Sequence, residues 1–234
     1  MDYKILFFLF ILNFSYPQRE SLYPSINEKI KYQPGWAKKL YFERISEFKL
    51  CPLEFNQIVF IGNSITQGGD NWSEKFNMPG IRNRGIAGDT TDGLLVRLNE
   101  IIFYKPKAVF LLIGINDLYN DNNLSPKYIA KNIIKIVKKI NKGSSESKIF
   151  IQTTLPVKKE KYVKQIQILN QYLKKYLKKG TFEIIDLYSQ FTTQSGSIKT
   201  DLSDDGVHLN DKGYVVWANY IRPIIESLKE KNNL

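Results

Sequence analysis

Gln57-Ile58-Val59-Phe60-Ile61-Gly62-Asn63-Ser64-Ile65-Thr66 is the stretch on which the fold turns. Four apolar residues, all Ile, Val or Phe, end at a glycine, and Gln67-Gly68-Gly69 follows soon after. Such a run suits a strand buried on both faces of a parallel sheet. Gly62 lets the backbone turn sharply. Ser64 is therefore expected at the carboxyl end of a central strand, the side on which open α/β sheets bind ligands. A serine there is either a turn residue or a nucleophile. Ser, Asn and Gly are ordinary turn chemistry, so the stretch by itself favours the turn.

Outward from that strand the pattern repeats. Ala108-Val109-Phe110-Leu111-Leu112-Ile113-Gly114 is the strongest strand signal, and it leads into Ile115-Asn116-Asp117. Lys148 to Thr153 and Phe182 to Asp186 read as strands. Gly80 to Ile86 reads as a weaker one, and Arg82 and Arg84 suit a sheet edge. Helical spacings lie between. Trp36 to Phe48 reads as an amphipathic helix with Trp36, Leu40, Tyr41, Ile45 and Phe48 apolar, ended by Pro52. Trp72 to Phe76 reads as a short helix. Ala87-Gly88-Asp89-Thr90-Thr91 opens one helix, with Leu94, Leu95, Leu98, Ile101 and Ile102 buried. Ser125-Pro126 opens another, with Ile129, Ile133, Ile134, Ile136, Val137 and Ile140 inward. Tyr162 to Leu177 is a further helix. The last spans Asn210 to Lys229, and Pro223 is expected to kink or interrupt it. Arg19 to Pro34 reads as an extended lead-in and Ser189 to Ser203 as a polar surface loop. Alternating strands and helices imply an α/β domain, a parallel sheet with helices on both faces.

A chain of 234 residues suffices for one such domain with a sizeable core. Thirty-four Lys and Arg against 23 Asp and Glu give a net charge of +11. The lysines are spread through several segments and form no recognisable nucleic-acid module, so a solvated surface is the simpler reading. One cysteine, Cys51, excludes an internal disulfide framework. One histidine, His208, leaves no zinc site built on several His or Cys ligands.

Lys4 followed by Ile5-Leu6-Phe7-Phe8-Leu9-Phe10-Ile11-Leu12 reads as a secretory signal peptide. The apolar run is too short for an ordinary membrane span. Cleavage is expected between Phe14 and Gln18, and an uncleaved amino-terminal anchor is the alternative. The expected organisation is a signal peptide at 1–18, an amino-terminal extension and helix at 19–52, and the main domain at 53–234. The folded part is then secreted or periplasmic, with no stable membrane span after cleavage. Cys51 is expected to be a small buried apolar residue.

Four spots share the expected ligand edge of the sheet: Ser64, Gly88, Asn116 and Asp205-Gly206-Val207-His208. Ester hydrolysis needs an activated hydroxyl, a base, a carboxylate to hold the base, and donors aimed at the developing oxyanion. Ser64 supplies the hydroxyl and His208 the imidazole. Asp205, three residues earlier, can fix the tautomer of the ring. Gly88 offers an amide at a helix amino terminus and Asn116 a side-chain amide. Singly, each has an ordinary structural explanation: a turn start for Asp205, a helix cap for Asn116, an incidental loop histidine for His208.

Together these blocks resemble the SGNH, or GDSL-type, hydrolases. Gly62-Asn63-Ser64-Ile65-Thr66 is similar to the family's first block, and Asn83-Arg84-Gly85-Ile86-Ala87-Gly88-Asp89-Thr90-Thr91 to its second. Gly114-Ile115-Asn116-Asp117 is similar to the third, and Asp205-Gly206-Val207-His208-Leu209-Asn210 to the fifth. The likeness runs from about Phe48 to the carboxyl terminus. It implies a three-layer α/β/α, flavodoxin-like parallel sheet of about five strands in the order 2-1-3-4-5. It also implies a serine esterase with Gly88 and Asn116 as oxyanion donors, and it needs no metal or cofactor. Platelet-activating-factor acetylhydrolases and carbohydrate acetylesterases are the branches most similar. Asn63 stands where many members carry Asp. The elbow lacks the second glycine of G-x-S-x-G, which disfavours the larger α/β-hydrolase fold.

The expected substrate is a small acyl ester, an acetyl ester first, on a small molecule or glycan. A short-chain lipase or lysophospholipase is the alternative within the family. From other classes come a non-catalytic glycan-binding module, and a binder of nucleic acid or anionic membrane through Lys131 to Lys142 and Lys158 to Lys179. Complete filling of the catalytic positions argues against the first, and salt-sensitive binding to such polymers without turnover would favour the second.

Overall fold

Five short strands, all parallel, form one sheet in the order β2-β1-β3-β4-β5 in the computed structural model, which describes residues 21–176 and 181–229. The chain enters through helix α1 (Ala37–Leu50), then strand β1 (Ile58–Gly62), α2 (Ser64–Gln67), α3 (Trp72–Phe76) and β2 (Ile81–Gly85). It continues through α4 (Thr91–Val96), α5 (Asn99–Tyr104), β3 (Ala108–Leu112), α6 (Ile115–Leu118), α7 (Pro126–Gly143) and β4 (Lys148–Gln152). Helix α8 (Glu160–Tyr176), β5 (Glu183–Ile185), α9 (Tyr188–Phe191) and α10 (Asp211–Ser227) complete it. The signal segment expected at 1–18 and the helix end expected at Leu177 lie outside the described residues.

The central strands are fully buried, as their unbroken apolar runs require. Register aligns Phe60 with Phe110 and Phe110 with Phe150. Their rings stack across the sheet with centroids 4.8 and 4.7 Å apart. Trp72 of α3 stacks on Phe60 at 4.2 Å, and Trp217 of α10 meets Trp72 edge-on at 4.8 Å. Successive side chains alternate across a strand. Val59, Ile61, Val109 and Leu111 therefore face the other side, which α4, α5, α7 and α8 cover as a mutually packed layer. The result is the three-layer α/β/α architecture.

Several local expectations need correction. The helix after Gly88 is two helices, α4 and α5, broken at Arg97, whose side chain turns inward to buried partners. Pro223 does not interrupt helix α10, because packing of Trp217, Ile221 and Ile225 outweighs one lost backbone bond. Ser189 to Ser203 is no plain surface loop: it holds α9, a bridge between Thr192 and Ile198, and a short 3-10 turn at Thr200–Leu202. Phe191, Ile198 and Leu202 anchor it in the core. Arg84 of the edge strand is buried, paired at 2.9 Å with the equally buried Glu100. Cys51 is exposed, not buried, and Arg82 Nη2 lies 2.9 Å from its sulfur. It follows the last turn of α1, where no core face is available.

The lead-in is pinned rather than extended. Leu22 is buried, and the Tyr23 hydroxyl donates to Glu100 at 2.9 Å. Asn120 Nδ2 donates to the Tyr32 carbonyl at 2.6 Å. Helix α1 buries Ala37, Tyr41, Phe42, Ile45 and Phe48 against Ile86 and its surroundings. Trp36 and Leu40, expected on the same face, remain 64% and 41% exposed.

Candidate active site

Ser64 opens α2 directly at the carboxyl end of β1. Gly62, the last residue of β1, passes too close to β3 for a side chain: a Cβ there would sit 2.1 Å from the Leu112 carbonyl oxygen. Asn63 caps the short helix, its side-chain oxygen accepting from the Ile65 amide at 3.0 Å. Asparagine thus provides the acceptor that an aspartate would offer in this place. Tyr214 of α10 donates its hydroxyl to the Ile65 carbonyl at 2.8 Å and fixes the other side of the turn.

The Asp205–His208 loop arrives from 144 residues further along the chain and lies against this turn. Ser64 Oγ and His208 Nε2 are 3.0 Å apart, and His208 Nδ1 and Asp205 Oδ2 are 2.6 Å apart. Asp205 Oδ1 accepts the Val207 and His208 amides at 2.8 and 2.7 Å. One carboxylate therefore shapes its own loop and orients the ring. Partial burial alone would raise the Asp205 carboxyl, but the His208 ring and the two amides outweigh it and hold the group at about 2. With Nδ1–H donated to that carboxylate, Nε2 offers its lone pair to the serine hydroxyl. Gly206 takes a positive φ of 80°, and its carbonyl accepts from the Lys158 amide at 2.8 Å.

The expected oxyanion donors flank the serine turn. β2 and β3 are the two neighbours of β1, and Gly62 pairs with Gly85 on one side and Leu112 on the other. Gly88 follows β2 by three residues and Asn116 lies in α6 just past β3, so both emerge at the level of Ser64. Gly88 is in the turn before the Thr90 cap of α4, not at a helix end, and its φ is +76°. Asn116 donates one amide hydrogen to the Asp89 carbonyl at 2.9 Å, which ties the two loops together.

Sequence reasoning missed the side chains that hold this arrangement. Arg97 bonds Asp89 at 2.9 Å and the Gly62 carbonyl at 3.0 Å, linking the Gly88 turn to the strand end below Ser64. Asp117 accepts from the Thr91 amide at 3.1 Å and the Thr91 hydroxyl at 2.5 Å. Asn132 of α7 donates to the same hydroxyl at 3.0 Å. Burial pushes Asp117 up to about 7 against the pull of Thr91, and pushes Asp89 up against Arg97. The available signal was an arginine inside the apolar run Leu94-Leu95-Val96-Arg97-Leu98, together with Asp89 and Asp117 beside Gly88 and Asn116.

A cavity of about 390 Å³ opens beside Asn116. Tyr119 lines it too; its phenol is pushed up to about 12 by burial first, then by Tyr162 and the Asp205 charge. A larger hollow of about 670 Å³ runs along the β2 edge and contains none of the five expected site residues. Among the described residues, no three His, Cys, Asp or Glu side chains are grouped to hold a metal ion, and no helix is long and apolar enough to cross a membrane.

The family model described as "GDSL-like Lipase/Acylhydrolase family" matches residues 60–216. The alpha2 subunit of human platelet-activating factor acetylhydrolase IB is 30% identical over 189 residues, covering 77% of this chain and 81% of that protein. A solved GDSL-like lipase from Bacteroides thetaiotaomicron superposes with a TM-score of 0.71 at 23% identity, over 80% of this chain and 97% of that one. A carbohydrate esterase family 3 enzyme from Talaromyces cellulolyticus superposes with a TM-score of 0.61 at 17% identity, over 75% and 99%. These two structures share the fold.

Proposed function

This chain belongs to the GDSL-like lipase/acylhydrolase family and is a carboxylic ester hydrolase; from that premise we propose that it cleaves small acyl esters, acetyl esters above all, through Ser64, His208 and Asp205. The observation that carries the reading is the continuous chain of hydrogen bonds from Ser64 Oγ to His208 Nε2 at 3.0 Å and on from Nδ1 to Asp205 at 2.6 Å.

In the proposed reaction Ser64 Oγ attacks the ester carbonyl as His208 Nε2 takes its proton. Asp205 stays ionised and stabilises the imidazolium that forms. The carbonyl oxygen, now an oxyanion, is received by the Ser64 and Gly88 amides and the Asn116 side chain. The alcohol leaves with the proton from His208, and Ser64 carries the acyl group. Water, deprotonated by His208, then attacks the acyl-serine; the Ser64 Oγ–acyl bond breaks, His208 returns the proton to Ser64 Oγ, and the acid is freed. The framework of Arg97, Asp89 and Asp117 keeps these donors fixed, so little reorganisation accompanies the charge development.

The proposed alcohol is a carbohydrate. A second reading, acetyl hydrolysis of a platelet-activating-factor-like substrate, is favoured by the 30% identity to an acetylhydrolase of that name. Both readings make the acyl group small. The test is relative turnover of nitrophenyl acetate and nitrophenyl octanoate, with a fluorophosphonate to trap the nucleophile. Preference for acetate and a covalent adduct on Ser64 are expected. Preference for octanoate, or an adduct elsewhere, would overturn the reading. Residues 1–18 are proposed to export the chain. A mature amino terminus between Ser15 and Arg19 in exported protein would support this, retention of Met1 in exported protein would favour the uncleaved anchor, and retention of the whole chain in the cytoplasm would refute export.

A further inference from the structure

One wall of the candidate site has no part in the hydrolytic steps. The cavity beside Asn116 is lined by Gln33 and Trp36 of the amino-terminal extension and by Asn120, Asp121 and Asn122 of the loop after α6. Trp36 is the exposed tryptophan at 64%, whereas Trp72 and Trp217 are fully buried. Its ring lies against the oxyanion turn: a Cβ placed on Gly88 would meet Trp36 Cη2 at 2.7 Å and Cζ3 at 2.9 Å. The segment that presents it is held in place. Asn120 bonds the Tyr32 carbonyl, and the Tyr32 ring packs edge-on against Tyr128 at 5.9 Å. The indole thus faces solvent, lines a polar cavity and stays free of the core, so it is available to a ligand.

Resting on the serine-esterase reading above, we propose that this cavity is the subsite for the alcohol half of the substrate and that it accepts a sugar ring, stacked on Trp36. A sugar ring has apolar C–H faces and a rim of hydroxyls. The indole face complements the first, and the amides and carboxylate of Gln33, Asn122 and Asp121 complement the second. An acyl or lipid chain would instead desolvate those polar groups without pairing them. The Asp121 carboxylate would also repel a phosphate headgroup. A volume of about 390 Å³ falls within the ordinary range for small-ligand sites. The extension is thus part of the specificity apparatus, although the family match begins only at residue 60.

The test compares kcat/KM for acetylated xylotriose with kcat/KM for ethyl acetate, which has no ring to stack. In Trp36→Ala the ratio of the two should fall roughly tenfold, and Trp36→Tyr, which keeps a ring, should recover most of it. A second measurement does not need turnover. In Ser64→Ala, iodide quenching reports on Trp36 because the other two indoles are buried, and added xylotriose should protect it. An unchanged ratio in Trp36→Ala would overturn the subsite. So would failure of millimolar xylotriose to protect the indole, or a loss confined to a short-chain acetyl phospholipid. Undiminished turnover by Ser64→Ala would instead overturn the esterase reading, and the quenching result would still decide the subsite.

Discussion

Asp205 does two things with one carboxylate, and the two can be separated. Oδ1 organises the loop through two amides and Oδ2 holds the imidazole. Asp205→Asn keeps an acceptor for the amides but presents the wrong partner to Nδ1. Its kcat should fall by roughly 10³- to 10⁴-fold with the fold intact, read by ester hydrolysis and circular dichroism. Loss of less than tenfold would separate Asp205 from the chemistry. In the proposed mechanism the Asn116 amide acts on charge that exists only in the transition state, so Asn116→Ala should lower kcat by roughly 100- to 1000-fold with little change in KM. These residues stood out in the sequence because together they match the family's blocks; singly, each had an ordinary structural explanation. Cys51 and Trp36 were not. Their environments depend on where α1 docks, and helical spacing ranked Trp36 with Tyr41 although the two lie on different sides of the helix.

Between residue and element lies the framework that spaces the loops. Arg97 and Asp89 are both buried, and between them they reach the Gly62 carbonyl and the Asn116 amide. Removing one partner leaves an uncompensated charge in the interior, a loss of about 3–5 kcal/mol. Arg97→Met should therefore lower Tm by roughly 10 °C in a domain of this size, while Asp89→Asn combined with Arg97→Met should recover part of the fall. An unchanged Tm in the single variant would contradict the framework. The strand order followed from the family resemblance, and most helix starts were readable from local capping chemistry, with Thr90, Ser125 and Asn210 capping α4, α7 and α10. The break between α4 and α5 was not, because Arg97 turns inward for partners that lie on other elements. Likewise Ser189 to Ser203 looked polar on average, and the average hid three anchors, Phe191, Ile198 and Leu202.

Across the whole molecule the interior aromatic stack and the buried carboxylates set how the fold responds to conditions. Alignment of Phe60, Phe110 and Phe150 is a property of register, which a single strand does not reveal. Burial pushes the Asp117 carboxyl of the folded chain from its ordinary 3.8 up to about 7. The folded chain therefore holds a proton that the unfolded chain has released. Stability from this group is complete below about 4 and is lost as pH rises through about 7. Tm should be higher at pH 5 than at pH 8, and Asp117→Asn should flatten that slope. A variant with the wild-type slope would remove Asp117 as its source. The net charge of +11 is a separate matter. If it steers anionic substrates, kcat/KM for them should fall with added salt while that for neutral esters does not.

The most direct measurement is hydrolysis of nitrophenyl acetate by the wild-type protein and by Ser64→Ala, at equal concentration and with both shown to be folded. The expected result is rapid turnover by the wild type and a loss of several orders of magnitude in the variant, leaving only what the oxyanion donors and binding supply. Equal turnover by the two proteins would contradict the assignment of Ser64 as the nucleophile.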